Sequence, residues 1–142
     1  MAHLSEVVGI YSQLIAKAAL LANGWIVGEP ETAEPFDFWA RDPITGQTRT
    51  FQCKTIFRRP DRNNDYVMRS KNGRGNPYSK SDVDFIIGVT GDEMEPLRVF
   101  YAENEERTEM WAAASKIDKK WTELPIRLNR DIFENKGKGE IA

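Results

Sequence analysis

Residues 48–57, TRTFQCKTIF, constrain this chain more than any other stretch. Arg49, Phe51, Cys53 and Thr55 fall on one side of a two-residue repeat, and Thr50, Gln52, Lys54 and Ile56 on the other. That period is a β-strand's. Just upstream, Asp42-Pro43-Ile44-Thr45-Gly46-Gln47 has the composition of a tight turn. Phe36 to Arg41 is the strand before it, so residues 37–55 predict a β-hairpin. A lone hairpin is marginal in water and needs more strands or a helix to pack on. The chain can supply them, because 142 residues with 40% hydrophobic content suffice for one core.

Asp84 to Thr90 (DFIIGVT) is a buried-strand signal, and Leu97 to Ala102 is its antiparallel neighbour across the acidic turn Gly91 to Pro96. Leu4 to Asn23 is an amphipathic helix, with Val7, Ile10, Leu14, Ala18 and Leu21 at spacings of three and four and Ser5 as N-cap. Trp25 to Val27 is a short strand. Residues 58–80 form a long connection with a short strand at Tyr66 to Arg69. Thr108 to Lys116 is a helix, with Met110 and Trp111 available for packing. The order predicts an α/β fold, a mixed central sheet flanked by helices. One domain would occupy residues 1–134, followed by a polar tail over 135–142.

Composition removes whole classes of chemistry. The chain has one Cys and one His. Cys53 and His3 cannot build a structural zinc site, and no intrachain disulfide is possible. Triad catalysis would need His3, two residues from the chain's start. No HExxH motif is present. With no signal-type or membrane-length apolar run, and a single unpaired Cys, the expectation is a soluble cytoplasmic protein without membrane association. The remaining tools are carboxylates, amides, lysines and a hard metal ion.

Those tools converge at one place. Gln52 and Lys54, two apart on a strand, share a face, and hairpin pairing brings Asp37 beside them. Asp37 supplies a carboxylate, Gln52 an amide oxygen and Cys53 a backbone carbonyl. Such hard oxygens suit Mg²⁺ or Mn²⁺. Lys54 stands where it orients a nucleophilic water or stabilises charge developing on a phosphate. The structural alternatives are a turn-bonding Asp37 and an edge-strand gatekeeper Lys54. Cys53 is read as a small core residue, and Asp84 as a loop-orienting one.

The chain resembles the PD-(D/E)xK nuclease superfamily. The likeness is to archaeal-type Holliday-junction resolvases and to intron and phage endonucleases of that superfamily. It rests on Gln13 eleven residues before Gly24-Trp25, then Trp25-Ile26-Val27, the loop 28–34, Phe36-Asp37 and the triplet Gln52-Cys53-Lys54. Tyr78 and Asp84 in YSKSDVDFIIGV match the second branch. The resemblance spans roughly residues 9–102 and implies a restriction-endonuclease-like core. It also implies a metal-dependent DNA endonuclease, by preference a two-fold dimeric resolvase. Asp37, Gln52, Lys54 and Gln13 would be catalytic. Two departures matter: Gln13 and Gln52 stand where the family usually has Glu. The site would therefore bind metal more weakly, or borrow Glu29, Glu31, Glu34 or Asp42.

The net charge of −2 hides a division. Residues 54–80 carry +6, between flanks of −3 and −5. This stretch places Arg58, Arg59, Arg62, Arg69, Lys71, Arg74, Tyr78 and Lys80 as DNA-binding candidates, since Lys and Arg neutralise phosphates. The rival readings are a DNA-binding module disabled by its two amides and a protein whose basic loop binds an acidic partner.

Overall fold

The computed structural model describes residues 1–91 and 95–134, so the expected polar tail lies outside the described residues. The chain runs α1 (Leu4–Ala22), β1 (Ile26–Gly28), β2 (Phe38–Arg41), β3 (Thr48–Arg59), a 3₁₀ turn (Pro60–Arg62), β4 (Asp65–Arg69) and β5 (Phe85–Thr90). It continues through β6 (Val99–Glu103), β7 (Glu109–Ala112), α2 (Ile117–Lys120) and β8 (Thr122–Glu123). The strands form one sheet in the order β1-β2-β3-β5-β6-β8, with β4 joined to β3 and β7 joined to β4. β3 and β5 are parallel, and every other pair is antiparallel. This is the mixed sheet that the sequence predicts.

Strand β3 organises the molecule because it is long enough to serve three neighbours. Phe51 is paired with Phe38 of β2 on one edge and Phe85 of β5 on the other. Ile56 is paired with Met68 of β4 and with Thr90 of β5. Strands β2 and β4 therefore share one edge of β3, and neither ladder covers residues 52–55. A strand has only two hydrogen-bonding edges, so this gap exposes backbone polar groups that something else must satisfy.

The two faces of the sheet carry separate cores, as the alternation in β3 requires. On the α1 face, Phe51 stacks on Phe38 at 5.6 Å between ring centres and meets the edge of Trp25 at 5.7 Å. Ala16, Ala19 and Leu20 of α1 close over them, fully buried. On the opposite face, Ile56, Met68, Ile86, Phe100, Met110 and Trp121 pack together. Gly88 sits where this face is tightest: a Cβ there would lie 2.5 Å from both Ile56 Cγ1 and Met68 Sδ.

Several local expectations are corrected. Residues 108–116 are not a helix: β7 occupies Glu109–Ala112 and pairs with β4. Met110 and Ala112 face inward while Glu109 and Trp111 are only half-buried, a two-residue period that outweighs the helix preference of an alanine-rich stretch. The connection after β3 is a second hairpin, whose tip holds Asn63 and Asn64 with left-handed backbones (φ 52° and 61°), a conformation Asn tolerates. The N-cap of α1 is His3, without a side-chain cap bond, and not Ser5. The stripe Val7, Ile10, Leu14 and Leu21 turns outward, and Ser12, Ala16, Ala19 and Leu20 face the sheet instead. Small residues there let α1 lie close to β3, and Ser12 Oγ reaches Thr55 Oγ1 at 3.3 Å.

Candidate functional site

The gap in the edge of β3 is filled by a side chain. Asp37 lies just before β2 begins, and its N–H donates to the Phe51 carbonyl at 2.9 Å. Its Oδ2 accepts from the Cys53 N–H at 2.8 Å. The carboxylate thus occupies the place of a missing strand residue, pinned to β3 at both backbone and side chain. Gln52, the preceding residue on β3, also acts on this carboxylate and lowers its pKa. The Cys53 carbonyl lies on the same strand edge as its amide and faces the same gap.

Lys54 follows on the Gln52 face. Its Nζ donates to the Tyr78 hydroxyl at 3.1 Å and to the Lys71 carbonyl at 3.2 Å, and lies 5.1 Å from the Tyr78 ring centre. Two groups from the 70–80 loop therefore hold the ammonium in place. Lys17, on α1, is the cation that sequence reasoning missed. It acts electrostatically on both Asp37 and Cys53 and is paired with Glu29. The only signal for it was its position one helical turn after Gln13, on the same helix face. Gln13 itself is half-buried, and among the described residues it makes no hydrogen bond to Asp37, Gln52 or Lys54.

Burial pushes the Asp37 carboxyl above its ordinary value, and the Cys53 amide, Lys54, Lys17 and Gln52 offset part of that rise. Cys53 is buried beside this carboxylate, and its thiol is pushed up to about 12, first by burial and then by the Asp37 charge. A thiol so placed is not a nucleophile at neutral pH.

Among the described residues no three His, Cys, Asp or Glu side chains cluster as a metal site would require. The donors at the gap are one carboxylate, one amide and one carbonyl, all hard oxygens. They fit Mg²⁺ or Mn²⁺ and do not fit Zn²⁺. Gln52 can present its oxygen by a half-turn of its amide, whose two ends are nearly equal in shape. Three of the four carboxylates considered as substitutes are engaged elsewhere. Glu29 pairs with Lys17, Glu34 accepts from Thr32, and Asp42 caps its own turn through Ile44 and Thr45.

Beside Lys54 an open cleft of about 560 Å³ is lined by Thr55, Phe57, Arg69, Lys71, Asn72 and Gly73. Lys54 is the residue it shares with the site, and Asp37, Gln52 and Cys53 do not line it. The fold that carries it has a known counterpart. It is similar to the solved structure of a bacterial homing endonuclease, I-Ssp6803I. The two align over 80% of this chain and 77% of that one, at 21% sequence identity and a TM-score of 0.56. No protein-family model and no curated protein matches the sequence. The likeness is one of fold.

The basic segment divides in this fold. Arg69, whose guanidinium lies 4.9 Å from the Phe57 ring centre, and Lys71 line the cleft, and Arg74 is exposed in the same loop, whereas Lys80 lines a separate pocket with Asp84, Phe85 and Glu103. Arg62 lies over the Trp111 ring at 4.9 Å. Arg58 departs from this group: it stacks on Tyr66 at 3.9 Å and bonds the Tyr66 hydroxyl and Glu95. Arg59 is engaged by Asp61 and Glu109. The net +6 of the segment therefore overstates the charge free to meet a ligand. Asp84 accepts from the Thr50 N–H at 2.9 Å and orients the start of β5.

Proposed function

We propose that this chain is a metal-dependent endonuclease acting on DNA. The observation that carries the reading is the Asp37 carboxylate locked into the open edge of β3, with Gln52, the Cys53 carbonyl and Lys54 converging beside a basic cleft. Asp37, Gln52 and the Cys53 carbonyl would hold Mg²⁺ or Mn²⁺. When bound, such an ion supplies Lewis-acid polarisation of a phosphate.

The residues do the rest. Lys54, held by Tyr78 and the Lys71 carbonyl, places one positive charge where negative charge builds on the phosphate. Arg69, Lys71, Arg74 and Lys80 neutralise flanking phosphates, a contact that carries no sequence information. Lys17 offsets the charge of Asp37 from the helix side.

The likeness to a homing endonuclease favours duplex DNA over the junctions that a resolvase would cut. The test is incubation with labelled linear duplex, four-way junction and single strand, in Mg²⁺, Mn²⁺ or EDTA. Cutting of duplex that stops in EDTA and in Asp37→Ala is the expected result. Preferential cutting of junctions would restore the resolvase reading. Cutting that persists in EDTA would overturn the metal mechanism. Binding without cutting in either metal would mark a disabled module.

A further inference from the structure

Helix α1 has two apolar faces, and the fold covers one. Leu4, Val7, Tyr11, Leu14, Ala18 and Leu21 lie on the other, at successive spacings of three, four, three, four and three. Leu4 is 78% exposed, Leu14 59%, Leu21 54% and Tyr11 50%. This is the a/d repeat of a helix–helix seam, narrower than the stripe a helix turns toward a globular core. We propose that it is a self-association surface that packs, antiparallel and across a two-fold axis, on the same seam of a second copy of this chain.

Three observations choose this occupant. The first is area. Together with Val8 and Ile10, the seam leaves seven large apolar residues between 36% and 78% exposed, a contiguous apolar surface on the scale of the roughly 800 Å² per partner that a stable interface buries. The second is self-complementarity. A two-fold axis between Ser12 and Gln13 sets Leu4 against the partner's Leu21, Val7 against the partner's Ala18 and Tyr11 against the partner's Leu14. Larger residues then meet equal or smaller ones. A parallel, in-register pair would set Tyr11 against itself and leave a void at Ala18. The third is charge. Glu6 and Lys17 are the only charged residues in α1, so little opposes the approach of an identical helix.

A membrane is the competing occupant, since α1, against the sequence expectation of no membrane-length apolar run, is by length and composition apolar enough to span one. Yet Ala16, Ala19 and Leu20 on its other face are fully buried in the protein, so spanning would dismantle the core. Lying in a bilayer surface calls for a basic polar face, and α1 offers Lys17 alone.

Sedimentation equilibrium at tens of micromolar should give twice the chain mass of 16.3 kDa, and Leu14→Glu should give the monomer mass with an unchanged far-ultraviolet circular dichroism spectrum. A mixture of Leu4→Cys and Leu21→Cys chains should cross-link on mild oxidation, while neither does alone. Buried Cys53 does not compete. A monomeric wild type, or a Leu14→Glu variant that stays dimeric, overturns the proposal. Either cysteine variant cross-linking alone overturns the antiparallel register. Wild type that is monomeric and co-floats with phosphatidylcholine vesicles gives the face to a membrane.

Discussion

Asp37 Oδ2 accepts its hydrogen bond from the Cys53 backbone N–H at 2.8 Å, at the point where the β2 ladder has ended. The carboxylate is thereby desolvated, and burial raises its pKa above the ordinary 3.8. A carboxyl with a raised folded pKa favours folding most when protonated. That contribution is present below the unfolded pKa and is lost as pH rises through the folded one. At neutral pH the ionised Asp37 therefore works against stability. Asp37→Asn keeps an oxygen for the Cys53 N–H and removes the buried charge. Its melting temperature at pH 7 should equal or exceed the wild-type value, and the difference should close as pH falls toward 3.8. Its cleavage rate should drop by at least about a hundredfold. Thermal melts between pH 3 and 7 beside a cleavage assay check both halves, and a variant that melts well below wild type at pH 7 would contradict the first.

Gln52→Glu restores a second carboxylate to the gap and should tighten metal binding about tenfold, from the added charge on a hard cation. Two carboxylates so close resist joint ionisation. In the absence of metal the variant should therefore be less stable than wild type at pH 7, and Mg²⁺ should recover the loss. Metal titrations of cleavage and melts with and without Mg²⁺ read the two effects. An unchanged metal midpoint would remove Gln52 from the metal site.

How much of this was legible beforehand differs by element, for physical reasons. β3 and the Asp37–Gln52–Lys54 convergence follow from period-two alternation and one tight turn, both local. Helix α1 was legible as a helix but not in its orientation, because its two apolar faces compete and the sheet accepts the smaller side chains. β7 hid because an alanine-rich stretch has helical preference, and only pairing with β4 reveals Met110 and Ala112 as inward residues. Lys17 was invisible as a site residue, since its nearness to Asp37 depends on how α1 crosses the sheet. The charge of residues 54–80 was countable, but which arginines turn inward was not, because Glu95 and Glu109 come from distant segments.

Arg58 and Arg74 should therefore separate. Arg58, about four-fifths buried with Glu95 and stacked on Tyr66, ties the β3–β4 hairpin to the connection between β5 and β6. Arg58→Ala should cost about 1–3 kcal/mol in a urea melt, because it leaves the largely buried Glu95 charge with only the Tyr66 hydroxyl as partner. Arg74→Ala should leave the melt unchanged and lower the slope of log affinity against log salt by about one, as expected for one lost phosphate contact. Equal melts for the two variants would refute this division.

Lys54 and Tyr78 test whether the ammonium acts on the phosphate or only fills the cleft. Lys54 is held by the Tyr78 hydroxyl at 3.1 Å and the Lys71 carbonyl at 3.2 Å. Lys54→Met keeps most of the side-chain length and removes the charge. If the charge meets the transition state, kcat should fall about 10²–10³-fold with KM changed little, the signature of an interaction made only in the transition state. Tyr78→Phe keeps the ring and leaves Lys54 only the Lys71 carbonyl, so the ammonium is less well placed but still present. Its kcat should fall about three- to tenfold, far less than with Lys54→Met, since imprecise placement costs less than loss of the group. Lys54→Arg should not rescue activity, because a planar guanidinium cannot reproduce a point charge between these two oxygens. Single-turnover cleavage with separate DNA-binding isotherms reads each case, and a Lys54→Met variant that loses affinity while keeping its cleavage rate would make Lys54 a phosphate anchor instead.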